Sequence, residues 1–248
     1  MPQRIALEHG GDNLWYGRIV ELIGTHARGR SQEEVISRLE KEVSYHVKWL
    51  EGHGESTPTI NEIELAVTDV ESNVAELGES GGEVAFYDFD RQRVSNDLLE
   101  RCIRCMRYNR VDLLELVRDL PSEVMKKTPP AKSRNIQGIL AHICNAEEFY
   151  ISRLGEETDR IYEEYLGMPE SQADSLPILE RMEIVRGAST ETLRFLIPSK
   201  NGMILTRPDY TRYPNEKWST YKIIRRFLEH EREHIYNIRG YLNLPLRE

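Results

Sequence analysis

Three histidines have the residue type and spacing to hold one metal ion. His230 and His234 are four residues apart, so their side chains lie on one face of an α-helix, one turn apart. His142 lies in the middle of a second amphipathic stretch. If these two helices face each other, the three imidazoles converge. We therefore predict a divalent-metal site formed by His142, His230 and His234.

The chemistry of such a site follows from its ligand count. Three neutral imidazoles leave a tetrahedral ion one position for water or a substrate atom, whereas structural zinc usually has four protein ligands. The ion would lower the pKa of a coordinated water or thiol and give a nucleophile near neutral pH. Imidazoles accept several metals, and we expect zinc or nickel before iron or copper. Spacing alone leaves a second interpretation open, in which His142 is a hydrogen-bonded core residue and the other two face solvent.

The helices that would position the histidines are marked by apolar residues at steps of three and four. One such stripe runs from Leu99 to Leu120 and stops before Pro121. Helical patterns also cover residues 135–154, 176–197 and 215–242, the last with Asn215 as a plausible N-cap. Four helices of this length can bury a shared core, so the pattern predicts a four-helix bundle. The connectors at 155–175 and 198–214 are long, which is typical of functional lids.

Three further residues are candidates for lining a pocket around the metal. Asn145 and Phe149 lie one and two turns beyond His142 on the same helix. Asn109 interrupts the apolar stripe of its helix, so it either points into the pocket or reaches a backbone partner. Cys102 and Cys105 form a C-x2-C in mid-helix with no second pair, which favours core packing over redox chemistry.

The balance of charged residues changes near residue 91. Residues 1–91 contain 8 Lys and Arg against 18 Asp and Glu, a net charge of −10. Residues 92–248 contain 25 against 24, a net of +1. An acidic first part does not suit nonspecific nucleic-acid binding, because phosphates require a basic surface. We predict two domains, residues 1–91 and 92–248, and no nucleic-acid partner.

The first domain has the pattern of a small α/β unit. Residues 3–9 and 14–23 are apolar-rich segments around a Gly-Gly-Asp-Asn turn and predict a β-hairpin. A helix begins at Ser31, which forms a capping box with Glu34, and ends at Gly52. Residues 59–70 predict a third strand, and 83–89 an optional fourth after the turn at 81–82. The predicted order is β-β-α-β, and the fold class is α+β.

Composition places the chain among folded soluble proteins. No apolar stretch approaches the roughly 20 residues of a membrane span, and the N-terminal residues lack an apolar signal core. Cys102, Cys105 and Cys144 are too few for a disulfide framework and suit reduced thiols. We therefore expect a cytoplasmic protein with no membrane partner.

The first part resembles the HicB-like family of small α/β domains. The resemblance covers residues 3–70 and depends on the hairpin, the segment Gly-Thr-His-Ala-Arg-Gly at 24–29 and the helix start at 31–34. It implies a partner-binding or antitoxin-like module for the acidic domain. The basic DNA-binding segment that often accompanies such a module is not evident here.

Residues 95–245 resemble the DinB-like (YfiT-like) family of four-helix-bundle, metal-dependent proteins. The stretches that carry the resemblance are 139–147, around His142, and 218–242, around His230 and His234. The resemblance implies that these three histidines correspond one by one to the family's metal ligands. It also implies a homodimer and relatives that include a maleylpyruvate isomerase and thiol S-transferases that use bacillithiol or mycothiol. A sulfoxide-synthase pattern, His-x3-His-x-Glu, is excluded because the last position is Tyr236.

Two hypotheses about function follow. The leading one is a metal-dependent enzyme that performs thiol S-transfer or hydrolysis on a small-molecule substrate, with a low-molecular-weight thiol as co-substrate. The alternative is a non-catalytic interaction or stress-response protein, in which the acidic domain binds a protein partner and the bundle is a scaffold.

Overall fold

Four strands form one sheet in the N-terminal part of the computed structural model, which describes residues 2–60, 63–78 and 82–246. The strands are β1 (Gln3–His9), β2 (Trp15–Ile19), β3 (His26–Gly29) and β4 (Leu65–Ser72), in the spatial order β3-β2-β1-β4. β1 and β2 are antiparallel, so the predicted hairpin is confirmed. β4 pairs with β1 in parallel, since helix α1 (Gln32–Gly52) carries the chain back across the sheet.

The predicted order β-β-α-β is wrong by one strand. The second strand ends at Ile19, not at 23, and residues 26–29 form β3, which pairs antiparallel with β2. Gly24 permits this reversal because its φ of +99° suits a residue without a Cβ. The next predicted strand, 59–70, is found at Leu65–Ser72, and residues 61 and 62 lie outside the described ranges.

The optional strand at 83–89 is also absent from the described residues. Residues 82–87 have no ladder partner, and Asp88–Arg91 form a 3₁₀-helix. The physical reason is a side chain: Oε1 of buried Glu8 accepts the backbone N–H groups of Val84 and Ala85 at 2.8 and 2.9 Å. These donors are therefore satisfied without a neighbouring strand. Of the predicted glycine turn before this segment, Gly81 lies outside the described residues.

Helix α1 begins at the predicted N-cap, Ser31, but Glu34 does not complete the predicted capping box. The Ser31 hydroxyl accepts the N–H of Glu34 at 3.2 Å, and the Glu34 carboxylate accepts the N–H of Arg30. The buried face of α1 packs on the sheet through Val35, Leu39, Val43 and Val47. This small core closes one side of the sheet.

The C-terminal part is helical. Its long helices are α2 (Asn96–Val117), α4 (Ile136–Ser152), α7 (Ile178–Lys200) and α8 (Thr220–Tyr241), and its short ones are α3 (Ser122–Lys126), α5 (Glu157–Leu166) and α6 (Glu170–Ala173). α4 packs against α7 and α8, and α2 packs against α8. Each of the four predicted helices corresponds to one long helix. None of these helices, within the described ranges, combines the length and apolar character that a membrane crossing requires.

One prediction about this part is wrong, and another stays a prediction. The long connector at 155–175 contains α5 and α6, and its role as a lid stays a prediction. Asn215 is not the N-cap of the last helix. Ser219 is, and its hydroxyl accepts the N–H of Lys222 at 3.1 Å. Residues 214–215 form a turn, and a β-bridge then pairs Trp218 with Leu205, so the helix begins after both.

The two parts are in direct contact. Ala6, Val20 and Leu50 from the N-terminal part belong to the same apolar core as the long helices. Nε of Arg18 on β2 lies 3.1 Å from Oε1 of Glu229 on α8, and both side chains are buried. The division at residue 91 stays a prediction.

Candidate metal centre

Three imidazole nitrogens converge between α4 and α8. Nε2 of His230 lies 3.1 Å from Nε2 of His142 and 3.1 Å from Nε2 of His234. All three ligand atoms lie within 4.8 Å of one another. Nitrogens bound at about 2.0–2.1 Å to a tetrahedral ion would be about 3.3 Å apart. The ligand atoms are therefore close to the separation that one ion needs.

The electrostatics of the three rings favour the neutral form that binds metal. Burial, with smaller contributions from neighbouring charges, lowers the pKa of His142 to about 3 and the pKa of His234 to about 4. Burial also places the pKa of His230 well below its usual value. All three therefore hold a free nitrogen lone pair at neutral pH. On the other side of His234, the Asn237 amide lies 3.4 Å from Nδ1, where it can fix the orientation of the ring.

The histidines open onto a cavity of about 590 Å³. This volume suits a small-molecule ligand. Its aromatic lining comes from α4 and from the connector between α7 and α8: Phe149, Tyr150, Tyr210, Tyr213 and Trp218. The predicted lid at 198–214 therefore contributes to the wall of the cavity.

The three residues that the sequence suggested as pocket-lining have different positions. Asn145 and Phe149 line the cavity. Asn109 does not. It is buried in the core, where its amide Nδ2 donates to the Leu228 carbonyl at 3.4 Å. Asn109 therefore reaches a backbone partner and does not point into the pocket.

The N-terminal part supplies a wall that sequence reasoning missed. Nε of Arg28 on β3 lies 2.8 Å from Oε1 of Glu233, the residue before His234, and Arg28 also pairs with Glu83. Burial alone would raise the pKa of Glu233, but Arg28 holds it at about 2. In the sequence, residues 24–29 are marked only by the resemblance to the HicB-like family. No local signal brings them next to a helix more than 200 positions away.

A buried network of charges lies behind the histidines. Arg110, Glu147, Arg186 and Glu231 come from α2, α4, α7 and α8 respectively, one from each long helix. Both glutamates accept hydrogen bonds from both arginines at 2.5 to 3.0 Å. Two positive and two negative charges cancel, so the network fixes the four helices without leaving a net buried charge.

The chain's own thiols are not part of the site. Cys102, Cys105 and Cys144 are buried and unpaired, and none lines the cavity within the described residues. Burial raises the pKa of Cys105 to about 11 and the pKa of Cys144 to about 12. These thiols stay protonated at neutral pH and belong to the core.

Comparison with known families identifies the helical part. The family model of the DinB superfamily matches residues 106–238, which are slightly more than half of the chain. This range includes all three histidines. No curated protein and no solved structure matches the chain.

Proposed function

The chain belongs to the DinB superfamily, and from that membership we propose that it is a metal-dependent enzyme that transfers a small thiol to an electrophilic substrate. The observation that carries this proposal is the convergence of His142, His230 and His234 at the wall of a ligand-sized cavity. Buried structural histidines would not require such a cavity. An all-imidazole ligand set accepts zinc, nickel, iron and copper, and of these we propose zinc or nickel.

The fit of the residues to a divalent ion rests on three features. Nε2 of His230 lies 3.1 Å from Nε2 of each of the other two histidines, and the rings are neutral. Three protein ligands leave one coordination position for an atom of a substrate or of water. A divalent ion held there would supply Lewis acidity and lower the pKa of a coordinated thiol or water. Asn237 would hold the ring of His234 in place.

The carboxylates of the cavity favour thiol transfer over hydrolysis. Glu83 and Glu233 pair with Arg28, and Glu216 pairs with Lys222 at 2.8 Å. Hydrolysis by a metal-bound water usually uses a free carboxylate as general base, and each of these three is neutralised by a cation. A thiol has a pKa of about 8.5, so modest stabilisation of its anion is sufficient and the proton passes to solvent.

The reaction that we propose is a nucleophilic substitution. The thiolate sulfur forms a bond to an electrophilic carbon, and the leaving group departs with the electron pair of its own bond. Phe149 and Trp218 would hold the apolar body of the electrophile and exclude water from it. The buried cysteines take no part, so the thiol is a second substrate.

Metal content tests the proposal first. Tag-free parent protein should contain about one zinc or nickel ion per chain by elemental analysis, and His142→Ala and His230→Ala should lose it. His53→Ala is the matched control, because His53 stacks on Tyr108 outside the cavity and should leave metal content unchanged. Thiol consumption with 1-chloro-2,4-dinitrobenzene and other electrophiles should then require the metal. Bound metal without turnover on a broad panel would refute thiol transfer.

A second candidate function is a non-catalytic interaction protein. The observation in its favour is β4, which forms one edge of the sheet and exposes Val67 and Val70. An exposed edge strand can pair with a strand of another protein. A partner that binds His142→Ala as tightly as the parent, in the absence of any turnover, would support this function.

A further inference from the structure

The cavity carries a charge opposite to that of the whole chain. Its lining contains four guanidinium groups, those of Arg28, Arg134, Arg212 and Arg226, against the three carboxylates of Glu83, Glu216 and Glu233. The chain has a net charge of −9. A local positive charge in an acidic protein attracts anions to this cavity in preference to the surrounding surface.

Two of these arginines are neutralised by neighbouring residues. Arg28 pairs with Glu83 and Glu233, and Arg226 pairs with Glu229 at 3.0 Å and with Glu83 at 3.4 Å. Their charges are therefore used within the protein. Arg28 joins β3 to α8, and Arg226 joins α8 to Glu83, so neither is available to a ligand.

Arg134 differs from them. Its guanidinium has neither an ion-pair nor a hydrogen-bond partner anywhere in residues 2–60, 63–78 and 82–246. The side chain is half-buried, so it is partly removed from water without a compensating anion. A guanidinium has five N–H donors in a planar arrangement that matches a carboxylate or a phosphate. An unpaired one at the wall of a cavity is a ready anion site.

We propose that Arg134 binds an anionic oxygen group, a carboxylate or a phosphate, of the small molecule whose other end reaches the three histidines. The proposal rests on the proposed function, because it assigns the charge of that reaction's substrate. Arg134 directly precedes the N-cap of α4, and His142 is seven residues beyond this cap, about 10 Å along the helix axis. A molecule the size of a substituted benzene ring with a charged side chain would extend over this distance.

The aromatic residues of the cavity specify the rest of the ligand. Phe149 on α4 and Trp218 before α8 lie edge to face, with ring centroids 5.9 Å apart. Seen from Arg134, they lie beyond His142, so they offer apolar surface on the far side of the histidines from the anion site. The substrate class is therefore a small molecule with an apolar or aromatic body and one anionic end.

Calorimetric titration of the full-length protein tests this proposal independently of the metal. The probes are phenylacetate, phenyl phosphate and the uncharged phenylacetamide, each added to EDTA-treated and to zinc-loaded protein. The variants are Arg134→Gln, Arg134→Lys and Lys132→Gln. Lys132→Gln is the matched control, because it also removes one positive charge, two residues from Arg134. The Nζ of Lys132 faces the Tyr241 ring and not the cavity.

The expected result is that one charged probe binds the metal-free parent at least about tenfold more tightly than phenylacetamide. The preference between phenylacetate and phenyl phosphate identifies the anion. Arg134→Gln should abolish the preference for charge, Arg134→Lys should keep part of it, and Lys132→Gln should keep it in full.

Three results would overturn the proposal. They are equal binding of charged and uncharged probes, an unchanged preference in Arg134→Gln, or no binding of any probe at millimolar concentration. Absence of bound metal would refute the proposed function but not the anion site, because the titration of metal-free protein still measures binding at Arg134. Equal thermal unfolding of parent and variants confirms that each comparison uses folded protein.

Discussion

Nη2 of Arg186 lies 2.8 Å from Oε2 of Glu231, the residue next to His230 on α8. Both side chains are buried, and the same nitrogen lies 2.6 Å from Oε1 of Glu147 on α4. α7 thus holds together the two helices that carry the histidines. These ion pairs fix α4 and α8 relative to each other next to His230.

We expect Arg186→Leu to lower the free energy of unfolding by about 3–5 kcal/mol, because it leaves two buried carboxylates with one arginine between them. Urea denaturation measures the change. Arg160→Leu is the control. It breaks the exposed pair of Arg160 with Glu164, which should cost less than about 0.5 kcal/mol. Similar losses in the two variants would contradict a stabilising role for the buried network.

Asn237 provides a test of how the metal ligands are oriented. Its amide lies 3.4 Å from Nδ1 of His234, and residues that hold a ligand imidazole in place typically contribute about 10–100-fold to metal affinity. Asn237→Ala should weaken zinc binding by that factor in a competition titration with a chelator. Asn96→Ala, at the exposed start of α2, should leave the affinity unchanged. An unaltered affinity in Asn237→Ala would mean that the amide does not orient the ring.

The stability of the metal-free protein should fall on acidification. Burial holds the pKa of His142 at about 3 and the pKa of His234 at about 4, against about 6.5 in the unfolded chain. Between pH 6.5 and 4 the unfolded state therefore binds more protons, and stability decreases as the pH decreases through this window. Above pH 6.5 both states are neutral at these residues, and this contribution no longer changes.

Urea denaturation of EDTA-treated protein at pH 7.5, 6.0 and 5.0 measures this dependence. The free energy of unfolding of His142→Gln should decrease less between pH 7.5 and 5.0 than that of the parent, because one titrating ring has been removed. Equal slopes in the two proteins would mean that His142 takes up its proton as readily in the folded state as in the unfolded one.

Local patterns predict much of this fold, because each depends on neighbours in sequence. The apolar periodicity locates the long helices, the Ser31 cap locates the start of α1, and the His-x3-His spacing places two rings on one face. Bringing His142 to them required the assumption that two apolar helical faces pack together. The structure has that arrangement.

The parts that sequence reasoning missed depend on long-range contacts. β3 is a strand only because β2 lies beside it, and 83–89 is not a strand because Glu8 occupies its backbone donors. Arg28 reaches Glu233 across more than 200 residues of sequence. Neither composition nor periodicity contains this information, so the part of the cavity wall that comes from the N-terminal residues could not be predicted.

The cysteines should be unreactive in the folded protein. Burial raises the pKa of Cys105 to about 11 and that of Cys144 to about 12, so the thiolate is rare at neutral pH. A disulfide reagent such as DTNB should label none of the three thiols within minutes at pH 7.5 and all three in guanidinium chloride. Cys144→Ala should retain the metal and any thiol-transfer activity. Rapid labelling of native protein, or loss of turnover in Cys144→Ala, would contradict the assignment of these residues to the core.

The predicted domain boundary at residue 91 is tested by a chain that contains only residues 92–248. In the full chain, buried Arg225 on α8 pairs with Asp90 through Nε at 2.8 Å and Nη2 at 3.0 Å, and Arg226 pairs with Glu83. Truncation removes both carboxylates and leaves Glu229 to compensate two buried guanidinium groups. The penalty for an uncompensated buried charge is several kcal/mol, a large fraction of the stability of a domain.

We therefore expect the 92–248 chain to unfold at a lower urea concentration than the full-length protein, with a broader transition. Asp90→Asn in the full-length protein is the matched comparison, since it removes one of these charges without removing the sheet, and its stability should lie between the two. Urea unfolding is monitored by circular dichroism, and metal content is measured, for all three proteins. A sharp transition at the full-length midpoint, together with bound metal, would instead establish residues 92–248 as an independent domain, as the charge distribution of the sequence predicts.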